Sequence, residues 1–305
     1  MTDRGNRLAP VRAGDTVALV ACSSPVDDDA LRRGVAVLES WGLRVRLGAS
    51  VRARHPRLDY LAATDADRAR DFERAWRDPE VRAVIAVRGG YGGHRVIDLV
   101  DWDAVRRSGP TVFVGSSDAT ALHAAIAAFV GVPTVLASMP ATSYFDEVAA
   151  DHLRKVLFDP VGARTLASPA AETLCPGRAR GRLAGGNLSV LAAGVGAPEF
   201  RPARGAIAVL EDLDEEPYRI DRMLTQLLRA GWFREVAGLA LGSWTDCGND
   251  RDVVREVLLD RLAPLGVPMA WQVNVGHHPG AFAVPLGLTA ELDADAGTLT
   301  VVAEE

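Results

Sequence analysis

Short apolar runs alternate along the chain with longer stretches in which apolar residues recur every three or four positions. Residues 15–22, DTVALVAC, have the continuous apolar character of a buried strand and lead into the turn Ser23-Ser24-Pro25. Asp27 or Asp28 can cap a helix through Leu31, Val35, Val37 and Leu38, which Gly42 ends. A second strand is expected over 43–47, and a helix capped near Thr64 or Asp65 should run to Arg77. Residues 81–87, VRAVIAV, read as a third strand, followed by a helix containing Val96, Ile97, Leu99 and Val100. Residues 111–114 form a fourth strand before another helix, and 133–137 a fifth strand. Apolar strands alternating with helices predict a parallel sheet covered on both faces, an α/β fold.

The pattern changes after about residue 160. Residues 164–182 contain Pro169, Pro176, Gly177 and Gly181 and read as a loop-like linker between domains spanning 1–163 and 183–305. The second domain opens with Gly185-Gly186-Asn187 and continues with a strand over 206–210 and an acidic turn over 211–216. Pro217 suits the first turn of a helix carrying Ile220, Met223, Leu224, Leu227 and Leu228. A strand over 236–241, a helix over 252–262, a strand over 269–275 and a loop over 276–280 follow. Residues 290–292 and 298–302 read as a closing hairpin around Gly297.

A chain of 305 residues has enough material for one large or two medium domains. The net charge of −6 argues against a nucleic-acid-binding surface and favours a cytoplasmic protein. Cys22, Cys175 and Cys247 are scattered with no C-x-x-C pair, so neither a disulfide framework nor a zinc cluster is expected. The first residues lack an apolar signal core, and no run of about 18 apolar residues suggests a membrane span. No metal or organic cofactor is implied.

Four loops that follow predicted strands carry candidate chemistry, at the strand ends where open α/β sheets bind ligands. Gly115-Ser116-Ser117-Asp118-Ala119 gives G-x-S-x-A, close to the G-x-S-x-G strand-to-helix elbow that exposes a nucleophilic serine. Ser117 is then either a nucleophile or, with Asp118, a helix cap. The glycine cluster after Arg88 (Gly89, Gly90, Gly92 and Gly93, with Tyr91 between) is either a surface turn or an oxyanion and substrate loop. A dinucleotide fingerprint fails there, because Arg95 stands where its last glycine belongs. Glu211, directly after a strand, is either structural or an orienting carboxylate. His277, after Gly276, is a candidate general base; the neighbouring His278 lacks metal-ligand spacing. Together Ser117, Glu211 and His277 supply nucleophile, orienter and base.

The segments GGYGGHRVIDLVDWD, VGSSDATALH, GGNLSVL, LEDLDEEPYRIDRMLTQL and VGHHPGAFAVPLG, in this order, resemble the LD-carboxypeptidase family of serine peptidases over essentially the whole chain. The resemblance implies a flavodoxin-like, amidotransferase-like N-terminal domain and a smaller mixed β/α C-terminal domain. It implies a triad of Ser117, Glu211 and His277, an oxyanion hole from the N–H groups of Asp118 and Gly90, and substrate contacts from Arg88, Gly89, Tyr91 and Asn187. Arg88 or Arg95 would meet the substrate carboxylate. The implied reaction is hydrolysis of the amide bond to a C-terminal D-alanine in a muropeptide tetrapeptide, by a cytoplasmic homodimer in peptidoglycan recycling. Two departures stand out: Ser116 replaces the family's aromatic residue before the nucleophile, and Ala137-Ser138-Met139-Pro140 replaces a His-Gly-Pro-like segment. One alternative is an immunity-type peptidase of the same family, cleaving aminoacyl or peptidyl adenylate analogues, with Trp244 or Trp271 stacking on a base. A non-enzymatic two-domain binding protein is another. An amidotransferase-like activity through Cys22 is a third.

Overall fold

The structure is a computed structural model that describes residues 7–109, 111–160, 162 and 165–302. In the first half the expected alternation is present: β1 (Thr16–Val20), α1 (Asp28–Ser40), β2 (Arg44–Leu47), α2 (Asp65–Arg77), β3 (Val81–Ala86), α3 (Gly93–Ile97), α4 (Trp102–Arg107), β4 (Val112–Gly115), α5 (Thr120–Phe129), β5 (Thr134–Leu136) and α6 (Glu147–Phe158). Asp27 caps α1 by accepting from the Ala30 N–H, and Thr64 caps α2 by accepting from the Asp67 N–H. Strands β2-β1-β3-β4-β5 lie side by side, all parallel. In β1, Val17 and Leu19 enter one core while Ala18 and Val20 enter another. Burial on both faces is why β1, β4, β5 and β3 beyond Arg82 carry no polar alternation, whereas the edge strand β2 alternates exposed Arg44 and Arg46 with half-buried Val45 and Leu47. The chain moves from β1 to β2 on one side and from β3 to β4 on the other. A crevice therefore opens between the carboxyl ends of β1 and β3.

The second half contains β6 (Thr165–Ala167), β7 (Glu172–Cys175), β8 (Arg178–Asn187), α7 (Leu188–Ala193), β9 (Ala206–Leu213), α8 (Pro217–Arg229), β10 (Gly238–Thr245), α9 (Arg251–Leu262), β11 (Met269–Trp271), β12 (Val284–Leu286), β13 (Thr289–Asp293) and β14 (Thr298–Val301). The second sheet runs β6-β14-β13-β8-β9-β10-β11-β7; β8 to β11 are parallel and the flanking strands antiparallel.

The structure corrects the expected linker. Its proposed start at 163–164 lies outside the described residues, but 165–182 supplies β6, β7 and half of β8, a strand near the middle of the sheet. Arg178, Arg180 and Arg182 point to solvent between small residues, so this strand has no apolar run to advertise it. Backbone pairing to β9 and β13 holds it, and glycine lets it pack: a Cβ on Gly185 would lie 2.1 Å from the Val209 carbonyl oxygen. β9 continues through Glu211 to Leu213 where a turn was expected, and β11 stops at Trp271, short of 275. β12 returns to the first sheet, antiparallel to β5, so the span 183–305 serves both sheets. One apolar cluster joins the two, from Val17 and Ile85 to Ile207, Val209 and Val284.

Candidate active site

The strand-to-helix elbow is built at the end of β4. Gly115 has no room for a side chain, since a Cβ there would lie 2.6 Å from that of Ala119. This close approach explains a Gly at one end of the motif and a small residue at the other. Ser117 then adopts φ 58°, a left-handed conformation that is costly for a residue with a Cβ. Ser116 and Ala119, at the cap positions of the short helical turn and of α5, make no side-chain capping hydrogen bond. The Asp118 carboxyl accepts instead from Ser23 Oγ (2.5 Å) and from the Gly93 N–H (2.7 Å). Burial raises its pKa above the usual carboxylate range, against those two hydrogen bonds.

Glu211 and His277 meet in the second sheet. Glu211 is a buried member of β9, and its Oε2 lies 2.5 Å from His277 Nδ1. Gly276 explains how the histidine reaches it: with φ 122°, a Cβ there would lie 2.3 Å from Ser243 Oγ and 3.0 Å from Glu211 Oε2. β10 fixes the histidine backbone, because the His277 N–H donates to Ser243 Oγ (3.0 Å) and Thr245 Oγ1 donates to the His277 carbonyl (2.6 Å). Burial, the largest influence, lowers the His277 pKa. The charge and hydrogen bond of Glu211, with Asp212 behind it, outweigh burial and leave it above the ordinary histidine value.

Ser117 and His277 line one cavity of about 670 Å³, together with Arg88, Gly89, Gly90, Tyr144 and Arg219 among others. Within the described residues they are not hydrogen-bonded to each other, a common state of such pairs without substrate. Gly89 sits against the elbow: a Cβ on it would lie 2.8 Å from Ser117 Cβ and 3.4 Å from the Asp118 nitrogen. Gly90, at φ 108°, leaves no space beside Ser24 Oγ.

Three of the expected contacts lie elsewhere. Tyr91 is exposed and packs on Tyr60, and Arg95 pairs with Asp65; neither lines the cavity. Asn187 is buried at the end of β8. Its Nδ2 donates to Asp212 Oδ1 (2.8 Å), its Oδ1 caps α7 by accepting from Val190, and its N–H donates to Thr120 Oγ1 (3.0 Å). Burial and the neighbouring Glu211 push the Asp212 carboxyl up to about 7, against hydrogen bonds from Asn187, Leu213 and Ser189. Asn187→Ala removes a cap and a donor to a buried carboxyl. We expect a loss of about 2–3 kcal/mol in denaturant unfolding with KM little changed. A rise in KM without loss of stability would make Asn187 a substrate contact after all.

Several supporting residues had no sequence signal: Ser23, Ser24, Ser243, Thr245, and Tyr144, whose ring meets His277 edge-on at 5.8 Å. Each works across a sequence gap that no local pattern spans. His123 and His152 are lowered to about 4, chiefly by burial. Cys22 is fully buried and pushed up to about 12, which leaves it without thiolate for an amidotransferase-like attack. Trp271 lies in the core under the Arg251 guanidinium, and Trp244 packs against the same core; neither lines the cavity. A second, mostly apolar cavity of about 300 Å³ lies between α5, β8 and 199–206 and holds no member of this site.

Comparison with known proteins identifies the family. Residues 17–137 match the LD-carboxypeptidase N-terminal domain, and 180–292 match the LD-carboxypeptidase C-terminal domain. A protein of Streptomyces coelicolor is 50% identical over 98% of this chain and 96% of its own. The murein tetrapeptide carboxypeptidase of Pseudomonas aeruginosa is 30% identical, over 92% of this chain and 93% of its own. The crystal structure of muramoyltetrapeptide carboxypeptidase from Oxalobacter formigenes superposes with a TM-score of 0.80 at 28% identity, covering 93% of this chain and 97% of that one. With both family domains matched in order across two packed sheets, the chain belongs to the LD-carboxypeptidase family and is a serine-type carboxypeptidase.

Proposed function

We propose that the protein hydrolyses the amide bond to a C-terminal D-alanine in muropeptide tetrapeptides, with Ser117, His277 and Glu211 as its triad. The observation that carries this reading is the His277–Glu211 pair, 2.5 Å apart, with His277 on the wall of the cavity that the strained Ser117 elbow also lines and Glu211 buried behind it. Ser117 Oγ attacks the carbonyl while His277 Nε2 takes its proton and returns it to the leaving amine. Glu211 holds the ring through Nδ1–H and stabilises the imidazolium. The Asp118 and Gly90 N–H groups receive the oxyanion, each donor contributing roughly 3–4 kcal/mol in studied hydrolases.

Arg88 lines the cavity beside Gly89 and suits the terminal carboxylate; its Nη1 donates to the Pro25 carbonyl, which steadies the guanidinium. Arg219 and Glu215, 3.6 Å apart on the same wall, offer both signs of charge to a peptide carrying ammonium and carboxylate groups. The substrate named for the P. aeruginosa relative supports the same peptide class. On this reading the enzyme acts in the cytoplasm as a homodimer, in peptidoglycan recycling; among the described residues no helix is long and apolar enough to cross a membrane.

The direct test is mass spectrometry of a muropeptide tetrapeptide incubated with the protein. Loss of one alanine supports the reading. An intact tetrapeptide with folded protein overturns the substrate and leaves the adenylate analogues to be tried in the same assay.

A further inference from the structure

We propose that Arg68 is a positioning residue for the oxyanion side of the site, holding the glycine loop against the nucleophile elbow. The proposal rests on the oxyanion reading above. Arg68 lies in the first turn of α2 with 0% exposure, a charged group in the core. Such burial is costly unless every charge and donor is matched. Its Nη1 donates to the carbonyls of Cys22 and Gly92 (3.1 Å for the latter), and its Nη2 pairs with Asp65, itself held by Arg95.

Those two carbonyls belong to the loops that leave β1 and β3, the neighbouring strands at which the sheet order reverses. The next residue of each loop is tied from the other side: Ser23 Oγ and the Gly93 N–H both donate to Asp118. A guanidinium thus clamps residues 22 and 92, and a carboxyl beside the nucleophile clamps residues 23 and 93. Between the clamps the loops also bind each other, Ser24 N–H to the Gly89 carbonyl (3.3 Å) and Tyr91 N–H to Ser24 Oγ (3.1 Å). Gly92 is pressed onto the guanidinium, since a Cβ there would lie 2.5 Å from Nη1. The segment so held contains Gly89, in contact with Ser117, and Gly90, the proposed donor.

A planar fork spreads its donors over two nitrogens and meets two carbonyls and a carboxylate at separate positions, whereas an ammonium has its three donors on one atom of a shorter reach and a thioether has none. Arg68 Nε has no partner, so the group is not optimised for stability alone. An apolar side chain of similar length leaves Asp65 paired with Arg95 but orphans the Cys22 and Gly92 carbonyls, so it releases the loop at some cost in stability, which the unfolding midpoint reads.

The test compares wild type with R68M and R68K in three measurements: unfolding midpoint, kcat and KM on the tetrapeptide, and the rate of labelling by a fluorophosphonate. The phosphonyl oxygen of that adduct occupies the oxyanion position. Expected for R68M is a kcat loss of about 10²-fold, the size of a displaced oxyanion donor, with a parallel loss in labelling rate. KM and tetrapeptide affinity in the Ser117→Ala background should change little. R68K should show the same split at smaller size, and it carries the test if R68M does not fold. Folded variants that label at the wild-type rate overturn the proposal, as do equal losses in kcat and ground-state affinity. Because the phosphonate reacts with any activated serine, a wild type that labels but leaves the tetrapeptide intact fails only the substrate assignment. A wild type that does not label overturns both.

Discussion

Ser117→Ala is expected to lower kcat by at least about 10⁴-fold while leaving the unfolding midpoint close to wild type, because a nucleophile acts as a unit with its base. Alanine retains a Cβ at φ 58°, so the backbone strain of the elbow remains. Ser117→Gly separates the two consequences. It removes the nucleophile and relieves the left-handed strain, and we expect it to be as inactive as the alanine variant but more stable by about 1 kcal/mol. Calorimetry with the tetrapeptide assay reads both. Activity surviving in either variant would remove Ser117 from the mechanism. An inactive glycine variant with no gain in stability would show that the strain is carried elsewhere.

Glu211→Gln has the second largest expected effect, a loss of about 10³–10⁴-fold in kcat/KM from the misoriented, uncompensated imidazole. It also predicts a displaced pH profile. The base must be neutral, so activity declines as pH falls through the His277 pKa, which lies above the ordinary 6.5 of a histidine. With the Glu211 charge gone, burial dominates and lowers that pKa, so the acid limb of kcat/KM should move to lower pH. Stability carries the matching signature. The pair's contribution is full below the unfolded histidine pKa and is lost as pH rises through the raised folded value; in the variant, where burial lowers that pKa, the slope should reverse and stability should fall as pH drops through the histidine range. An acid limb that stays in place would assign the titration to another group, and Asp212, raised to about 7, is the neighbour to examine next by the same measurement.

The site is economical in what it hides. The three proposed catalytic groups sit in motifs that are visible locally, because each lies where an apolar run gives way abruptly to glycine or polar residues. Gly115 and Gly276 are needed for a close approach, to Ala119 in one case and to Ser243 and Glu211 in the other. The groups that hold the frame have no such mark. Arg68 reads as one more arginine on an amphipathic helix, and Ser23, Ser243 and Thr245 are small polar residues of the kind found at any strand end.

Asn187 shows a related limit. Its Gly-Gly-Asn motif suggested a substrate contact, whereas the positions of Thr120 and Asp212 direct its backbone N–H and its amide to support of the second sheet. Tyr91 in the glycine loop and Arg95 in α3 just after it both turn away from the cavity, toward Tyr60 and Asp65.

What the chain determined by itself is therefore whatever rests on short-range physics. The parallel strands β1, β3, β4 and β5 follow from apolar runs separated by helices, and the caps of α1 and α2 follow from Asp27 and Thr64. The elbow follows from a glycine and two serines between strand and helix. Tertiary structure decided what depends on pairing between distant segments. It made a strand near the middle of the second sheet of an arginine- and glycine-rich stretch, because β9 and β13 satisfy its backbone from both sides. It returned β12 to the edge of the first sheet, and it brought Glu211 and His277, 66 residues apart, into one ion pair facing the nucleophile's cavity. Backbone hydrogen bonds and buried charges are satisfied wherever a partner arrives in space, so their outcome is not written in the local order of residues.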